Sequence, residues 1–192
     1  MTELEKYIHG YFGVEEKDVS RIAAFFKPVR LKKGEYLLQF GQRSDRLAFV
    51  QNGILREFVF VGEKEITKWI ASQGYFVVDL NSFVFNQPAR WNIQALTDCE
   101  LFVIDAALYQ QIGDMIPKWL ELEKLFITQC FAMLEDRVLQ HLSMSAEERY
   151  HQLFQYNKEL FNMVPLQYLA SMLGMAPETL SRLRKKDAES IS

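Results

Sequence analysis

The spacing of apolar positions along the chain changes twice and separates three regions. In residues 29–104, short β-branched and aromatic runs such as 54–61 and 66–70 alternate with glycines that recur about every 7 to 12 residues. Short strands separated by regular turn signals are typical of an all-β sandwich, jelly roll or barrel. The middle of the chain is therefore predicted to form such a β-structure.

Helical spacing precedes this β-region. Residues 3–26 are predicted to be helical, and Asp18 or Ser20 is the expected N-cap of a helix there. The apolar side chains of that helix are Ile22, Phe25 and Phe26.

Helical spacing returns after the β-region. Asp105 is the expected N-cap of a short helix over residues 106–112, which Gly113 would end. Pro117 fits the first turn of a longer helix that continues to about residue 143 and is apolar nearly all round. Heptad spacing connects Leu120, Lys124, Ile127, Phe131, Leu134 and Val138. This helix lies either at the centre of a monomer or between two copies of the chain, and the heptads favour a homodimer.

Composition and charge narrow the classes of function. The 192 residues, 49% apolar and 24% charged, allow one large domain or two small ones. Since 22 basic and 25 acidic residues give a net charge of −3, a site for nucleic acid must be locally basic. No apolar run approaches the roughly 18 residues of a membrane span, so we expect a soluble, cytoplasmic protein that does not contact membranes.

Signals of catalysis and metal binding are missing from the sequence. Cys99 and Cys130 are too far apart for a C-x-x-C motif and are expected in the core, and all three histidines lie outside residues 30–104. Because no phosphate-binding loop, dinucleotide fingerprint or nucleophile elbow occurs, we expect no enzyme, no cofactor and no metal.

The C-terminal region carries the most specific signal. Ser145 and Glu148 form a capping box that opens a helix reaching about Asn157. After Pro165, two short helices are predicted around Gly174, with Pro177 in the first turn of the second. The small Ala170 allows a close crossing, and the mini-core consists of Leu169, Leu173, Leu180 and Leu183. This framework predicts a helix-turn-helix.

The second of these helices has a polar face opposite the leucines. Arginine can bond guanine, glutamate can accept from cytosine, and serine, threonine and lysine suit phosphates. The candidate DNA-binding residues are Glu178, Thr179, Ser181, Arg182, Lys185 and Lys186. Residues 145–192 contain six basic and six acidic residues, so the basic cluster is local. The alternative is a solvated face of an ordinary helical hairpin.

A glycine-punctuated β-roll, a long helix and a helix-turn-helix ending in Ala-Pro-Glu-Thr-Leu-Ser-Arg-Leu-Arg-Lys-Lys resemble the Crp/Fnr superfamily, named for the cyclic-AMP receptor protein and the fumarate-nitrate regulator. The resemblance implies an α+β fold with an N-terminal double-stranded β-roll of the jelly-roll, cyclic-nucleotide-binding type (residues 1–115). A dimerisation helix (116–143) and a helix-turn-helix DNA-binding domain (144–192) would follow.

The same resemblance implies a homodimeric transcription regulator that binds double-stranded DNA and responds to a small-molecule effector in the β-roll. RNA polymerase would be a further partner. By position, Glu178 and Arg182 correspond to base-reading residues of the family, whereas Pro177 replaces a second arginine. One base contact is therefore expected to be missing.

The predicted effector pocket departs from the family pattern of Gly-Glu, a short helix and Arg-Ser-Ala, in which glutamate binds the ribose and arginine the cyclic phosphate. Here Tyr75 follows Gly74, Ala89 stands at the arginine position, and Arg90 comes one residue late. A shift of one residue turns a strand side chain to the opposite face unless a bulge intervenes. We therefore expect an unknown effector other than cyclic AMP.

Aromatic residues in this region either line a pocket for an apolar effector or fill the core, and the core interpretation is preferred. The candidate pocket residues are Trp69, Phe76, Phe83, Phe85, Arg90 and Trp91. Neither a cysteine cluster for iron–sulfur ligation nor a suitably placed haem histidine is visible.

Two other classes remain open from the sequence. A cupin-like metalloenzyme is disfavoured because the β-region contains no histidine. A stand-alone dimeric module that binds a small molecule and has no DNA role is the main alternative.

Overall fold

The computed structural model describes residues 1–190 and divides into two compact units. Unit 1 comprises residues 1–59 and 70–130, and unit 2 comprises residues 60–69 and the chain from residue 131 onward. Among the described helices, none combines the length and the hydropathy that a bilayer span requires.

Unit 1 begins with two helices, α1 (Glu3–Phe12) and α2 (Glu16–Ala23), within the segment that was predicted to be helical. Gly13 ends α1 with a left-handed backbone (φ 65°), a conformation that costs glycine little. The N-cap of α2 is Glu15, so the prediction that Asp18 or Ser20 caps this helix was wrong.

The β-region forms two four-stranded antiparallel sheets, with strand orders β1-β8-β3-β6 and β2-β7-β4-β5. The predicted double-stranded β-roll within an α+β fold is confirmed. Within the described residues, the strands are β1 (Lys27–Leu31), β2 (Tyr36–Leu38), β3 (Arg46–Asn52), β4 (Leu55–Val61), β5 (Lys64–Ala71), β6 (Phe76–Val77), β7 (Asn92–Ala95) and β8 (Cys99–Asp105).

The β3–β4 turn depends on a glycine. Gly53 has φ 95°, and a Cβ at this position would collide with the Asp98 carbonyl and with Cys99. Cys99 is buried as predicted, whereas Cys130 is exposed on the long helix, so the prediction that Cys130 lies in the core was wrong.

An aromatic cluster joins the N-terminal helices to the rest of unit 1. The Phe12 ring lies 5.1 Å from the Trp119 ring and 4.3 Å from the Phe126 ring, measured between centroids. Burial of such side chains contributes about 1.5 to 3 kcal/mol each to folding. The start of the long helix is thereby packed into the core.

Three helices follow or interrupt the strands of the roll: α3 (Leu80–Phe85), α4 (Ala106–Met115) and α5 (Trp119–Ser143). Helix α4 passes through Gly113 and ends at Met115, with Ile116 as its C-cap, which corrects the predicted end. Asp105 occupies the N-cap position of α4 without a capping hydrogen bond, and its carboxylate instead lies 4.0 Å from Arg46. The long helix ends at Ser143 as predicted, and it begins at Trp119, two residues after Pro117.

Unit 2 contains the second half of α5, the β4–β5 hairpin tip (residues 60–69) and the helices α6 (Ala146–Tyr156), α7 (Leu160–Met163), α8 (Leu166–Met172) and α9 (Pro177–Ser190). The capping box that opens α6 is confirmed, because Ser145 Oγ accepts from the Glu148 amide and Glu148 accepts from the Ser145 amide. Tyr150, Phe161, Leu169 and Leu180 are among the buried side chains of this unit.

Candidate nucleic-acid interface and effector region

Helices α8 and α9 meet at a tight turn around Gly174, as the sequence predicts. Gly174 has φ 66°, and its amide bonds the Ser171 carbonyl at 3.1 Å. An added Cβ would lie 3.3 Å from the His141 ring, so the turn leaves little room for a side chain. Leu169 and Leu180 are fully buried and form the centre of the predicted mini-core.

One face of α9 is directed to solvent. Glu178, Ser181, Arg182 and Lys185 are all exposed, whereas Thr179 is half-buried. The Arg182 guanidinium makes no hydrogen bond or ion pair within residues 1–190. Lys185 Nζ lies 3.8 Å from a Glu189 oxygen, an exposed pair that contributes little. Glu178, Ser181, Arg182 and Lys185 are spaced at i, i+3, i+4 and i+7 along α9, and all four are accessible to solvent.

Lys186 has an ion-pair partner within the chain that was not predicted. Its Nζ lies 2.7 Å from Glu147 of α6. This hydrogen bond and charge raise the pKa of Lys186, and they lower the pKa of Glu147. His151 lies between two carboxylates, 3.7 Å from Glu147 and 3.5 Å from Asp187. Lys186 thus forms an exposed ion pair between α9 and α6, which contributes little to stability, and its predicted phosphate contact stays a prediction.

Two arginines that the sequence analysis missed hold the end of α8. Arg149 Nε donates to the Leu173 carbonyl at 2.8 Å, and Arg137 Nη2 donates to the Met172 carbonyl at 3.3 Å. Arg149 Nη1 also donates to the Met144 carbonyl, just beyond α5. Charged donors satisfy carbonyls that a helix end leaves open. No local signal marks these residues, because their partners on α8 lie 24 and 35 positions away.

The hairpin tip is attached to α8 by a serine. Ser171 Oγ accepts from the Thr67 amide at 2.9 Å and donates to the Glu65 carbonyl at 3.2 Å, an arrangement that we call the hairpin clasp. The Arg137 guanidinium lies 5.0 Å from the centre of the Trp69 ring. Trp69, a candidate pocket residue, thus belongs to unit 2.

The remaining aromatic candidates separate into core and surface. The Phe76 ring lies 5.2 Å from the Phe49 ring, and the Phe83 ring meets Tyr109 edge-on at 5.4 Å. Both pack against the core cluster of unit 1, in agreement with the core interpretation. Phe85 is 67% exposed. Trp91 is half-buried and Arg90 is exposed, so the structure does not gather these candidates into one cluster.

An acidic residue that the sequence analysis missed begins the short helix of the roll. Helix α3 follows Val78 and Asp79, not Gly74 and Tyr75, and Asp79 is its N-cap. The buried Asp79 carboxylate accepts from the Ser82 amide at 3.0 Å and from the Arg90 amide at 2.8 Å.

Ala89 and Arg90 precede β7 and differ in burial. Ala89 is 2% exposed, whereas Arg90 is exposed. Within residues 1–190, no group of three or more histidine, cysteine or acidic side chains could hold a metal ion.

The fold is a β-roll followed by a long helix and a helical C-terminal unit. Residues 28–114 match the sequence family of the cyclic nucleotide-binding domain. No curated protein sequence is significantly similar to the chain.

Solved structures share the fold over nearly the whole chain. The c-di-GMP-responsive global regulator CLP of Xanthomonas campestris is 17% identical, with a TM-score of 0.69 over 92% of this chain and 93% of that one. The catabolite activator protein of Thermus thermophilus is 19% identical, with a TM-score of 0.60 over 96% and 87%. FixK2 of Bradyrhizobium japonicum is 13% identical, with a TM-score of 0.70 over 86% and 85%.

Proposed function

We propose that the protein is a homodimeric, sequence-specific DNA-binding transcription regulator of the Crp/Fnr superfamily. In this proposal α8 and α9 form a helix-turn-helix, and α9 enters the major groove. The observation that carries it is the accessible face of α9, where Glu178, Ser181, Arg182 and Lys185 are exposed while Leu180 is fully buried.

Each residue of this face has a proposed role. Arg182 reads guanine through its two terminal nitrogens, and Glu178 accepts from cytosine. Thr179, Ser181 and Lys185 bind phosphates. Lys186 reaches phosphate only when its bond to Glu147 opens. Pro177, which replaces a reader of the family, leaves each half-site with fewer specified bases.

The proposed dimer forms along α5 (domain span 116–143), between the β-roll domain (1–115) and the DNA-binding domain (144–192). Ile127, Phe131 and Leu134 are 52%, 59% and 54% exposed in the single chain. A continuous exposed apolar surface of this kind commonly marks an interface. A two-fold axis would make the operator a pseudo-palindrome with half-sites about one helical turn apart.

The proposed effector is a small molecule other than cyclic AMP, held by the β-roll. Support comes from Ala89 at the family's arginine position and from the exposure of Arg90 next to it. We further propose that the protein has no catalytic role and no cofactor and that it acts in the cytoplasm. RNA polymerase is a candidate partner.

Selection of bound fragments from a random DNA pool tests the proposal. We expect a two-fold symmetric motif and an affinity that falls as salt rises. The alternative is a dimeric small-molecule module without a DNA role. An unenriched pool, together with no salt-dependent binding in fluorescence anisotropy, would contradict DNA binding and favour that alternative.

A further inference from the structure

The turn between α8 and α9 is closed partly by its own backbone and partly by a side chain from elsewhere. The amides of Gly174 and Met175 turn back and donate to carbonyls of α8. The carbonyl of Met172, the last residue of α8, instead accepts from the guanidinium of Arg137 at 3.3 Å. Since Arg137 lies in α5, the direction in which α9 leaves α8 depends on a side chain outside both helices.

The same guanidinium also faces the hairpin tip. Its central carbon lies 5.0 Å from the centre of the Trp69 ring, within the range of a cation–π contact. Trp69 belongs to β5, a strand of the second sheet, and the tip of this hairpin lies in unit 2 with α8 and α9. A planar guanidinium can lie against a ring and donate from its edge at the same time, whereas an ammonium is a point charge. Arg137 therefore connects the hairpin tip to the end of α8.

We infer that Arg137 is a positioning residue for α9, the proposed reading helix, and that it ties the turn before this helix to the hairpin. In this role Arg137 acts through the Met172 carbonyl and binds no phosphate. Hydrogen bonds from a charged donor are stronger than neutral ones, so loss of the guanidinium would loosen the turn. The inference rests on the proposed function for its effect on DNA, but the link between the hairpin and the turn is measurable without DNA.

A double-mutant cycle read by amide hydrogen exchange tests this link. Trp69→Leu removes the ring face but keeps apolar bulk, and it should speed exchange of the Met175 amide about two- to fivefold. Arg137→Ala should speed the same exchange roughly tenfold. The double variant should exchange no faster than Arg137→Ala alone, because Trp69 acts on the turn through Arg137.

Arg149→Ala is the matched background. Arg149 Nε donates to the adjacent Leu173 carbonyl at 2.8 Å, and its loss should also loosen the turn. Trp69→Leu should still speed Met175 exchange in this background, since Arg137 remains. If Trp69→Leu has the same effect with and without Arg137, or no effect in the wild type, the inference is wrong.

Arg137→Lys takes the place of Arg137→Ala if the alanine variant does not fold. It keeps the charge but loses the flat guanidinium, so Trp69→Leu should again have no further effect on Met175 exchange. A lysine that preserves the full effect of Trp69→Leu would show that charge alone suffices and would overturn the assignment.

Binding to selected DNA distinguishes positioning from direct contact. Arg137→Ala should weaken binding roughly tenfold without changing the slope of log affinity against log salt concentration, because no phosphate contact is lost. A slope that becomes shallower by about 0.9 per subunit would show a phosphate contact and would overturn the positioning role, as would unchanged affinity. If the wild type binds no DNA, the proposed function fails, whereas the exchange cycle still decides whether Arg137 links the hairpin to the turn.

Discussion

Arg182 and Lys185 lie on the same exposed face of α9 but should contribute differently to binding. Arg182→Ala should cost about 1 to 3 kcal/mol and relax the preference at one guanine per half-site, because the lost contact reads a base. Lys185→Ala should weaken all sequences similarly and lower the salt slope by about one contact per subunit. Anisotropy titrations on selected and scrambled DNA at several salt concentrations measure both effects.

Lys158 provides the control for these two variants. It is an exposed cation of unit 2 that does not belong to α9, and its ammonium lies 5.3 Å from the Phe154 ring. Lys158→Ala should leave DNA affinity and salt slope unchanged. If Arg182→Ala leaves DNA affinity and sequence preference unchanged, the proposed contact of Arg182 with guanine is wrong.

Tyr150 gives a prediction for alkaline pH. Burial, with a hydrogen bond to Asp187, raises the pKa of Tyr150 to about 12. The neutral phenol is favoured in the folded state, so its contribution is complete below pH 10 and is lost as the pH rises from 10 towards 12. Between pH 9 and 11 this group should remove about 1.3 kcal/mol from the free energy of unfolding.

Urea unfolding of Tyr150→Phe at the two pH values checks this. The variant should be less stable at pH 9, but it should lose about 1.3 kcal/mol less than the wild type by pH 11. Equal losses in both proteins would show that another group is responsible.

Single residues were predictable from the sequence where the physical cause is local. Gly174 and the Ser145–Glu148 capping box were identified because a turn and a helix start depend on residues a few positions apart. Asp79 was missed because its second partner, the Arg90 amide, comes from a separate segment. The ion pair between Lys186 and Glu147 was missed because the two residues are 39 positions apart, and the phosphate contact of Lys186 stays a prediction.

At the scale of elements, α5 should control the oligomeric state. Charges at Ile127 and Phe131 would have to be desolvated in a helix–helix seam, so Ile127→Glu/Phe131→Glu should sediment as a monomer at micromolar concentration. Gln129→Glu, on the same helix but outside the heptad positions, should remain dimeric. Sedimentation velocity distinguishes these outcomes, and a monomeric wild type would refute the dimer.

The hairpin clasp should be visible in hydrogen exchange. Ser171→Ala removes the acceptor of the Thr67 amide, so that amide should exchange about tenfold faster. Ser143→Ala, which removes a hydroxyl bonded within α5, should leave Thr67 exchange unchanged. If the Thr67 amide exchanges at the same rate in Ser171→Ala as in the wild type, the clasp does not hold the hairpin.

The elements themselves were predicted where periodicity is strong. The span of α5 and the glycine-punctuated strands follow from patterns within the sequence. The end of α4 was misplaced because Gly113, which was taken as a terminator, lies within a regular helix. A glycine ends a helix only when its backbone turns left-handed, as Gly13 does, and composition alone does not distinguish these cases.

At the scale of the whole molecule, cyclic AMP should not bind with useful affinity. Its phosphate would lose hydration without an in-register arginine, because Ala89 stands at that position. Calorimetric titration should give no heat of binding at micromolar protein concentration. Micromolar or tighter affinity would refute the register argument, and Arg90→Ala would then show whether Arg90 supplies the partner.

The bond between Lys186 and Glu147 has a consequence for growth under osmotic stress. The slope of log affinity against log salt concentration becomes shallower by about 0.9 for each phosphate contact that a subunit does not make. For a dimer the change is about 1.8. A doubling of intracellular potassium would weaken DNA binding by a certain factor. That factor would be about three- to fourfold smaller than if the Lys186 side chain of each subunit bound phosphate. For the proposed regulator, this would mean steadier occupancy of its operator in a cell whose ionic strength fluctuates.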